Sequence, residues 1–298
     1  MNNFVTIVFR LTVSCLLAAS VMGICFIFTS NAKKHNEHVK EQKVMYELLG
    51  YKAGVERPAS LAMHHIYRYV VSGADRQSIG YLVPGIEDGE GNFLFINIDL
   101  DGQLIASKPV QLSAMEALEA ETRNRAVQAA AGPGTAVTFA DQTIVVTDGG
   151  ERIAYLMGGK FQGFKTFIHL MLAVDPEFNL VGFEVLEHEE DPGLGAEITQ
   201  DYFKNQFKGK PFAAIKTIDV VKAPIPDDYL KALNGRTDEA DLLRFREQYK
   251  DQDIYALTGA TISAKAVALG IKAIVTKFAY RIDVLDRVLQ EQQLAVAF

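Results

Sequence analysis

Apolar and polar positions along this chain change period repeatedly, and each change predicts an element. Residues 11–28 form an unbroken run of 18 apolar or small residues, about the length of one membrane-spanning helix. Charge then returns over 31–50, where Val39, Val44, Met45, Leu48 and Leu49 keep loosely helical spacing and predict a connecting helix. Between about 78 and 110 the pattern shortens to strands at 81–83, 93–98 and 104–105. They are divided by a Gly- and acid-rich turn and by Asp101-Gly102. Residues 112–131 are rich in Ala, Glu and Arg, have no internal Pro or Gly, and predict one helix ending at Gly132-Pro133. Strand composition resumes at 143–147, 153–157, 166–174 and 180–186, with Asp175-Pro176-Glu177 as the turn between the last two. The stretches 93–105 and 167–186 share a layout of strand, acidic turn and strand, a hint of internal duplication. Ala223-Pro224-Ile225-Pro226 interrupts the chain before a polar helical stretch at 227–250.

The last element is the longest amphipathic one. Ala264, Val267, Ala268, Ile271, Ile274, Val275, Phe278, Ile282, Leu285, Val288 and Leu289 recur at spacings of three and four. Lys265, Lys272, Lys277 and Arg281 exclude a membrane span there. Strands followed by packed helices indicate an α+β soluble domain behind a single N-terminal transmembrane helix. The expected division is an anchor at 1–30, a connecting helix at 31–55 and a soluble domain at 56–298, with its core region at about 160–280.

Composition narrows the function classes. Arg10 is the only charged side chain among residues 1–30, so 29 basic residues face 37 acidic ones beyond it, a balance of −8. That acidity argues against nucleic-acid binding. Cys15 and Cys25 are the only cysteines and both lie in the apolar run. The soluble part therefore has no disulfide, no thiolate-held iron–sulfur cluster and no c-type haem attachment. Phe28-Thr29-Ser30 lacks a small-x-small cleavage pattern, so the run is expected to remain as an anchor. Lys33, Lys34, Lys40 and Lys43 after it, and Arg10 before it, leave its orientation open.

Two short stretches carry candidate chemistry. Thr258-Gly259-Ala260-Thr261-Ile262-Ser263 places three hydroxyls at a turn of very small residues where the last helix begins. A helix start offers unpaired N–H groups and a positive dipole end that suit a phosphate, and Gly259 and Ala260 leave the Thr261 hydroxyl accessible. The ordinary alternative is a Ser or Thr N-cap. Upstream, Glu190-Asp191-Pro192-Gly193-Leu194-Gly195 specifies a tight loop that presents Leu194 and backbone N–H groups, a surface able to lie against a planar ring. A plain turn is the competing reading. His188 is expected to be solvated or capping; His35 and His38 stand i,i+3 on the connecting helix, and His64-His65 are placed in a loop. None of these has the partners of a metal site, and no Walker-type loop, GxGxxG or nucleophile elbow occurs.

Together the N-terminal span, the Pro-Gly-Leu-Gly loop and the Thr-Gly-Ala-Thr-x-Ser motif resemble the FMN-binding subunits of ion-translocating electron-transport complexes. These are the G component of the Rnf complex and the C component of the sodium-translocating NADH:quinone reductase, with 258–267 closer to the Rnf member. The resemblance implies that Thr261 carries FMN through a phosphoester bond installed from FAD by a separate magnesium-dependent flavin transferase. It implies that Glu190, Asp191, Pro192, Gly193, Leu194 and Gly195 lie near the isoalloxazine ring, with Thr258, Gly259, Ala260 and Ser263 completing the FMN-binding set. It implies an electron-transfer subunit of a translocase, single-pass in the bacterial inner membrane, with its soluble domain on the periplasmic side and other redox subunits as partners. The chain departs from the family at Asp191, where threonine is usual, and at Tyr255, where an acid is usual and Asp253 is the nearest substitute. It departs again at Gly163-Phe164-Lys165-Thr166, where Gly-Tyr-Gly-Gly is usual. A flavin-free or regulatory membrane-anchored binding module is the alternative these departures leave open.

Overall fold

In the computed structural model the apolar run and the charged stretch after it form one uninterrupted helix, α1 (Asn2–Leu48). The structure describes residues 2–52, 54–74, 76–86 and 92–298, without the side chains at 2, 3, 5, 27, 28, 30–35, 37 and 38. The side chains of His35 and His38 and most of the acid-rich turn before Phe93 therefore lie outside what is described. The chain divides into two units, Met1–Glu47 and Leu48–Phe298.

Within the first unit, Thr6–Phe26 has a mean hydropathy of 2.0, long and apolar enough to cross a membrane. Several of its hydroxyls are satisfied within the helix. Thr12, Ser14, Ser20 and Thr29 each donate to the carbonyl four residues back, at 2.7–2.9 Å. Such back-bonding leaves these four groups needing no partner outside the helix. The helix stops at Leu48, ahead of Gly50 at φ 91°.

The second unit is built on one eight-stranded antiparallel sheet. Its strands are β1 (Leu61–Ser72), β2 (Gln77–Pro84), β3 (Asn92–Ile98), β4 (Leu104–Gln111), β5 (Ala136–Asp148), β6 (Glu151–Gln162), β7 (Phe167–Val174) and β8 (Leu180–Glu187). The order β4-β3-β2-β1-β5-β6-β7-β8 is two four-stranded meanders joined along β1 and β5. The two stretches with a shared layout, 93–105 and 167–186, fall on the outer hairpins β3–β4 and β7–β8 at opposite edges, which supports the internal duplication.

β1 is the strand missing from the expected set: His64 and His65 lie in it and not in a loop. They are accommodated by side-chain partners on β5. His64 Nε2 meets Thr147 Oγ1 at 3.0 Å and His65 Nδ1 meets Gln142 Nε2 at 2.7 Å. Burial lowers both imidazole pKa values.

The first meander is covered on both faces. Tyr67, Tyr69, Leu82 and Phe95 pack with Val127 of α3 (Ala120–Ala131), while Ile66, Tyr81, Val83 and Ile96 join the core beneath the last helix. The expected helix at 112–131 is in fact two, α2 (Ala114–Leu118) and α3, broken at Glu119 with ψ 112°. A capping box between Ser113 and Glu116 starts α2. The buried Arg123 guanidinium donates to the freed carbonyls of Ala117 at 2.7 Å and Leu118 at 3.3 Å, and to the Tyr69 hydroxyl at 2.9 Å. That cation compensates the break.

After β8 come a 3-10 turn (Gly195–Thr199), α4 (Asp201–Lys204), α5 (Phe212–Thr217) and β9 (Val220–Val221). The polar stretch at 227–250 is also split, into α6 (Asp227–Leu233) and α7 (Glu239–Tyr249), by Gly235 at φ 66°. β10 (Ile254–Tyr255) pairs in parallel with β9 and leads into α8 (Thr261–Glu291).

At 31 residues α8 is about 46 Å long and crosses the sheet. Close contact at the crossing needs glycine. A Cβ on Gly270 would strike the Phe161 ring, and one on Gly159 would strike Ile274. Farther along, Arg152 of β6 grips Asp286 through two bonds of 2.6 and 2.8 Å, and Arg281 donates to Asp141 at 3.0 Å. With its far end fastened, the start of α8 is held at the sheet's β6–β8 side.

Candidate functional site

The loop after β8 and the turn before α8 converge on one cavity. In the first, Leu194 N and Ala196 N both donate to Asp191 O, at 3.1 and 3.0 Å. Gly193 adopts φ 73°, which an L side chain rarely takes. The result is a knuckle with Leu194 44% exposed at its tip. In the second, Gly259 at φ 75° turns the chain into the helix, and a Cβ there would stand 2.9 Å from Leu194 Cδ2. The two loops touch at this point. Beside it lies a cavity of about 270 Å³, lined by Phe164, Glu190, Asp191, Leu194, Gly195 and residues 259–263.

Most residues singled out from the sequence are thus brought together. Glu190, Asp191, Leu194, Gly195, Gly259, Ala260, Thr261 and Ser263 line the cavity. Pro192, Gly193 and Thr258 are exposed in the turns behind its walls. Phe164, 56% exposed, and Ile262, 59% exposed, are apolar walls that sequence reasoning passed over. For Phe164 the available signal was a large apolar side chain beside Gly163 in a loop. Asp253 is not at the cavity: its Oδ1 accepts from Asp219 N at 2.9 Å. Tyr255 instead packs its ring against Tyr229 and Tyr249.

Glu190 binds the site together. It is 4% exposed. Oε1 accepts from Phe164 N at 2.8 Å and Lys165 N at 3.2 Å, while Oε2 accepts the Ser263 hydroxyl. A buried carboxylate is tolerable when its lone pairs are met in this way. Gly163 and Gly195 make room, since a Cβ on either would run into the Glu190 carboxylate. His188 takes a capping role, its Nδ1 accepting from Glu190 N at 3.2 Å. At the surface Lys165 pairs with Asp191, which raises the lysine pKa. Asp191 and Lys165, two of the residues at which the sequence departs from the motif it resembles, thus pair with each other.

The N-cap reading of the hydroxyl motif does not hold. The N-cap of α8 is Ala260, with no side-chain hydrogen bond, and the Ser263 hydroxyl is committed to Glu190. Thr261 is the first helical residue, half-buried at the cavity, and its hydroxyl has no partner among the described residues. The first turn thus presents backbone N–H groups without a side-chain cap next to an available alcohol. An anionic ester fits that arrangement, and the apolar walls fit a flat ring. Among the described residues no group of three or more His, Cys, Asp or Glu could hold a metal ion.

Residues 163–276 match the FMN-binding domain family, a span that begins at Gly163 and contains both loops. A curated relative is the G component of the proton-translocating ferredoxin:NAD(+) oxidoreductase complex of Clostridium ljungdahlii. It is 30% identical over 124 residues, 42% of this chain and 52% of the relative. The G component of the ion-translocating oxidoreductase complex of Methanosarcina acetivorans is 29% identical over 123 residues, 41% of this chain and 50% of the relative. The chain thus spans about half the length of the curated relatives it matches. Among solved structures, NqrC of Shewanella oneidensis aligns at a TM-score of 0.35 with 20% identity, over 47% of this chain and 57% of that one. The C component of the Na(+)-translocating NADH-quinone reductase of Parabacteroides distasonis aligns at 0.32 with 20% identity, over 61% and 72%.

Proposed function

We propose that this chain, whose residues 163–276 match the FMN-binding domain family, is an electron carrier of the Rnf G type with FMN esterified to Thr261. The observation that carries this reading is the available Thr261 hydroxyl at the uncapped start of α8, opening into the cavity. FMN supplies the redox chemistry when bound, accepting and passing on electrons. The protein's part is to hold and orient it. The amides of the first turn of α8 lie where the ester's charge would be, and the helix dipole favours that charge. Phe164, Leu194 and Ile262 supply apolar walls for the ring, and Gly259 and Ala260 let it approach the backbone. Phe164 and Ile262, both more than half exposed, leave the cavity open to solvent, as a relay to another redox centre requires.

Attachment needs a flavin transferase and FAD. The Thr261 oxygen replaces the adenylate oxygen on the flavin-side phosphorus, and adenosine monophosphate and the hydroxyl proton leave. Further parts of the reading are anchoring by α1 in the inner membrane, a soluble domain outside the cytoplasm, and assembly with other subunits of an Rnf-type ion-translocating oxidoreductase. There a covalent bond would keep FMN on an open site where free flavin is scarce.

Intact-mass measurement after co-expression with a flavin transferase tests the assignment. Wild type gains one FMN-sized increment and Thr261→Ala gains none. Thr258→Ala retains it. Ser263→Ala also retains it but loses about 1–3 kcal/mol of stability, because the buried Glu190 oxygen is left unmet. Equal loss of the increment in all three variants would reject Thr261 as the attachment residue.

A further inference from the structure

The turn after α4 buries two polar side chains whose hydrogen bonds all go to one other segment. Gln206 is 4% and Lys210 2% exposed. The Gln206 amide copies a strand partner, donating from Nε2 to Tyr255 O at 3.3 Å and accepting from Tyr255 N at 2.8 Å. The Lys210 ammonium donates to Tyr249 O at 3.0 Å, to Lys250 O at 3.2 Å and to Gln252 O. Five bonds thus run from this turn to the backbone at 249–255, six residues short of Thr261.

The turn is itself stitched to the sheet. Gly209 N donates to Leu180 O at 2.7 Å and Leu180 N donates to Lys210 O at 2.9 Å. Leu180 begins β8, the strand whose other end delivers the 190–195 loop. One strand therefore supports both lips of the cavity, the first directly and the second through Gln206 and Lys210. The second lip is otherwise fixed by the short β9–β10 pair, with Ile254 N donating to Asp219 O at 3.0 Å and Ala256 N to Val221 O at 2.9 Å, by the buried Ile254 and Leu257, and by Tyr249 stacked on Tyr229, while α7 itself buries no residue. An ammonium among carbonyls is a costly choice for a core position, where an apolar side chain would pack at less expense. What it adds is directional contact with three carbonyls at once.

We propose that Gln206 and Lys210 are positioning residues that hold the 249–261 segment in register with the 190–195 loop, and so set how Thr261 is presented. This rests on the reading of Thr261 as the FMN attachment residue. The test uses full-length protein in detergent, with Lys210→Met and Gln206→Leu as the variants and Lys210→Arg as the conservative replacement. In flavin-free protein, the hydrogen-bonded amides 254–256 and 260 of Lys210→Met and Gln206→Leu exchange at least about tenfold faster than in wild type, as loss of three and two buried hydrogen bonds implies. Amides of β7 and β8 keep wild-type protection, which shows the variants are folded. With the transferase, turnover of attachment falls about tenfold while KM for FAD is unchanged, and Lys210→Arg recovers most of both losses. Wild-type exchange at 254–256 and 260 in Lys210→Met and Gln206→Leu would overturn the proposal, as would a rise in KM with turnover intact. A wild-type protein that takes no flavin, beside a transferase active on another target, sinks the attachment reading, and exchange alone then decides the positioning.

Discussion

Glu190 and Lys210 are opposite charges buried by the same fold and handled differently. Glu190 accepts from two backbone amides and a hydroxyl, so its charge is fully solvated by the protein. Lys210 faces carbonyls, with Asp251 and Asp253 helping from a distance, and burial outweighs that help to lower its pKa to about 8. Other charged or titratable groups around it are Lys208 on its own turn and Tyr229, Arg246, Tyr249 and Lys250 from α6, α7 and the residue after it. The folded pKa lies below the usual lysine value of 10.5, so the unfolded chain binds more protons between the two. The cost of the buried ammonium is complete below about pH 8 and is relieved as pH rises toward 10.5. The slope of unfolding free energy against pH in that window should thus be more positive in wild type than in Lys210→Met, measured by urea denaturation. An identical slope in both proteins would mean that Lys210 does not titrate there.

At the level of elements, α8 is positioned by contacts that its own periodicity does not reveal. The apolar stripe from Ala264 to Leu289 announced an amphipathic helix, and α8 has it. Where that helix crosses the sheet depends on Gly270 under Phe161 and Gly159 under Ile274. Gly270→Val should cost about 1–3 kcal/mol by forcing the Phe161 ring aside. It should also shift the start of α8 relative to the Leu194 knuckle, read as weaker protection of amides 264–267, the first that bond within the helix. Gly158→Val in β6, the strand of Phe161, where a Cβ meets nothing within 4 Å, is the control expected to leave that protection unchanged. The helices at 112–131 and 227–250 were visible in composition, but their breaks were not. Glu119 takes an extended conformation because Arg123 can serve the carbonyls released there, and Arg123 is placed by Tyr69 on a strand 54 residues away.

On the scale of the whole molecule, the two meanders place their matching hairpins at the two edges of the sheet, and the loop at the cavity follows only the second. The first meander instead turns into the capping box of α2. Of the two meanders only one carries the candidate site, and the other supplies sheet area over which α8 can lie. With α1 as an anchor, the proposed arrangement puts this domain outside the cytoplasm. Alkaline phosphatase fused after Phe298 should then be active in cells and β-lactamase in the same place should confer resistance. Activity of a cytoplasmic reporter alone at that position would reject the topology.

The run at 11–28, the strand alternation, the amphipathic final helix and the two loops near Leu194 and Thr261 could all be read from the chain, because each rests on local chemistry or on a period of a few residues. β1 was hidden because its faces meet different cores, so His64, His65 and Arg68 stand where a half-exposed strand would show clean alternation. What the tertiary structure alone decided is which distant groups meet. Glu190 reaches Ser263 across 73 positions, and Gln206 reaches Tyr255 across 49. Such pairings follow from the order of strands and the crossing point of α8, and no local pattern encodes either.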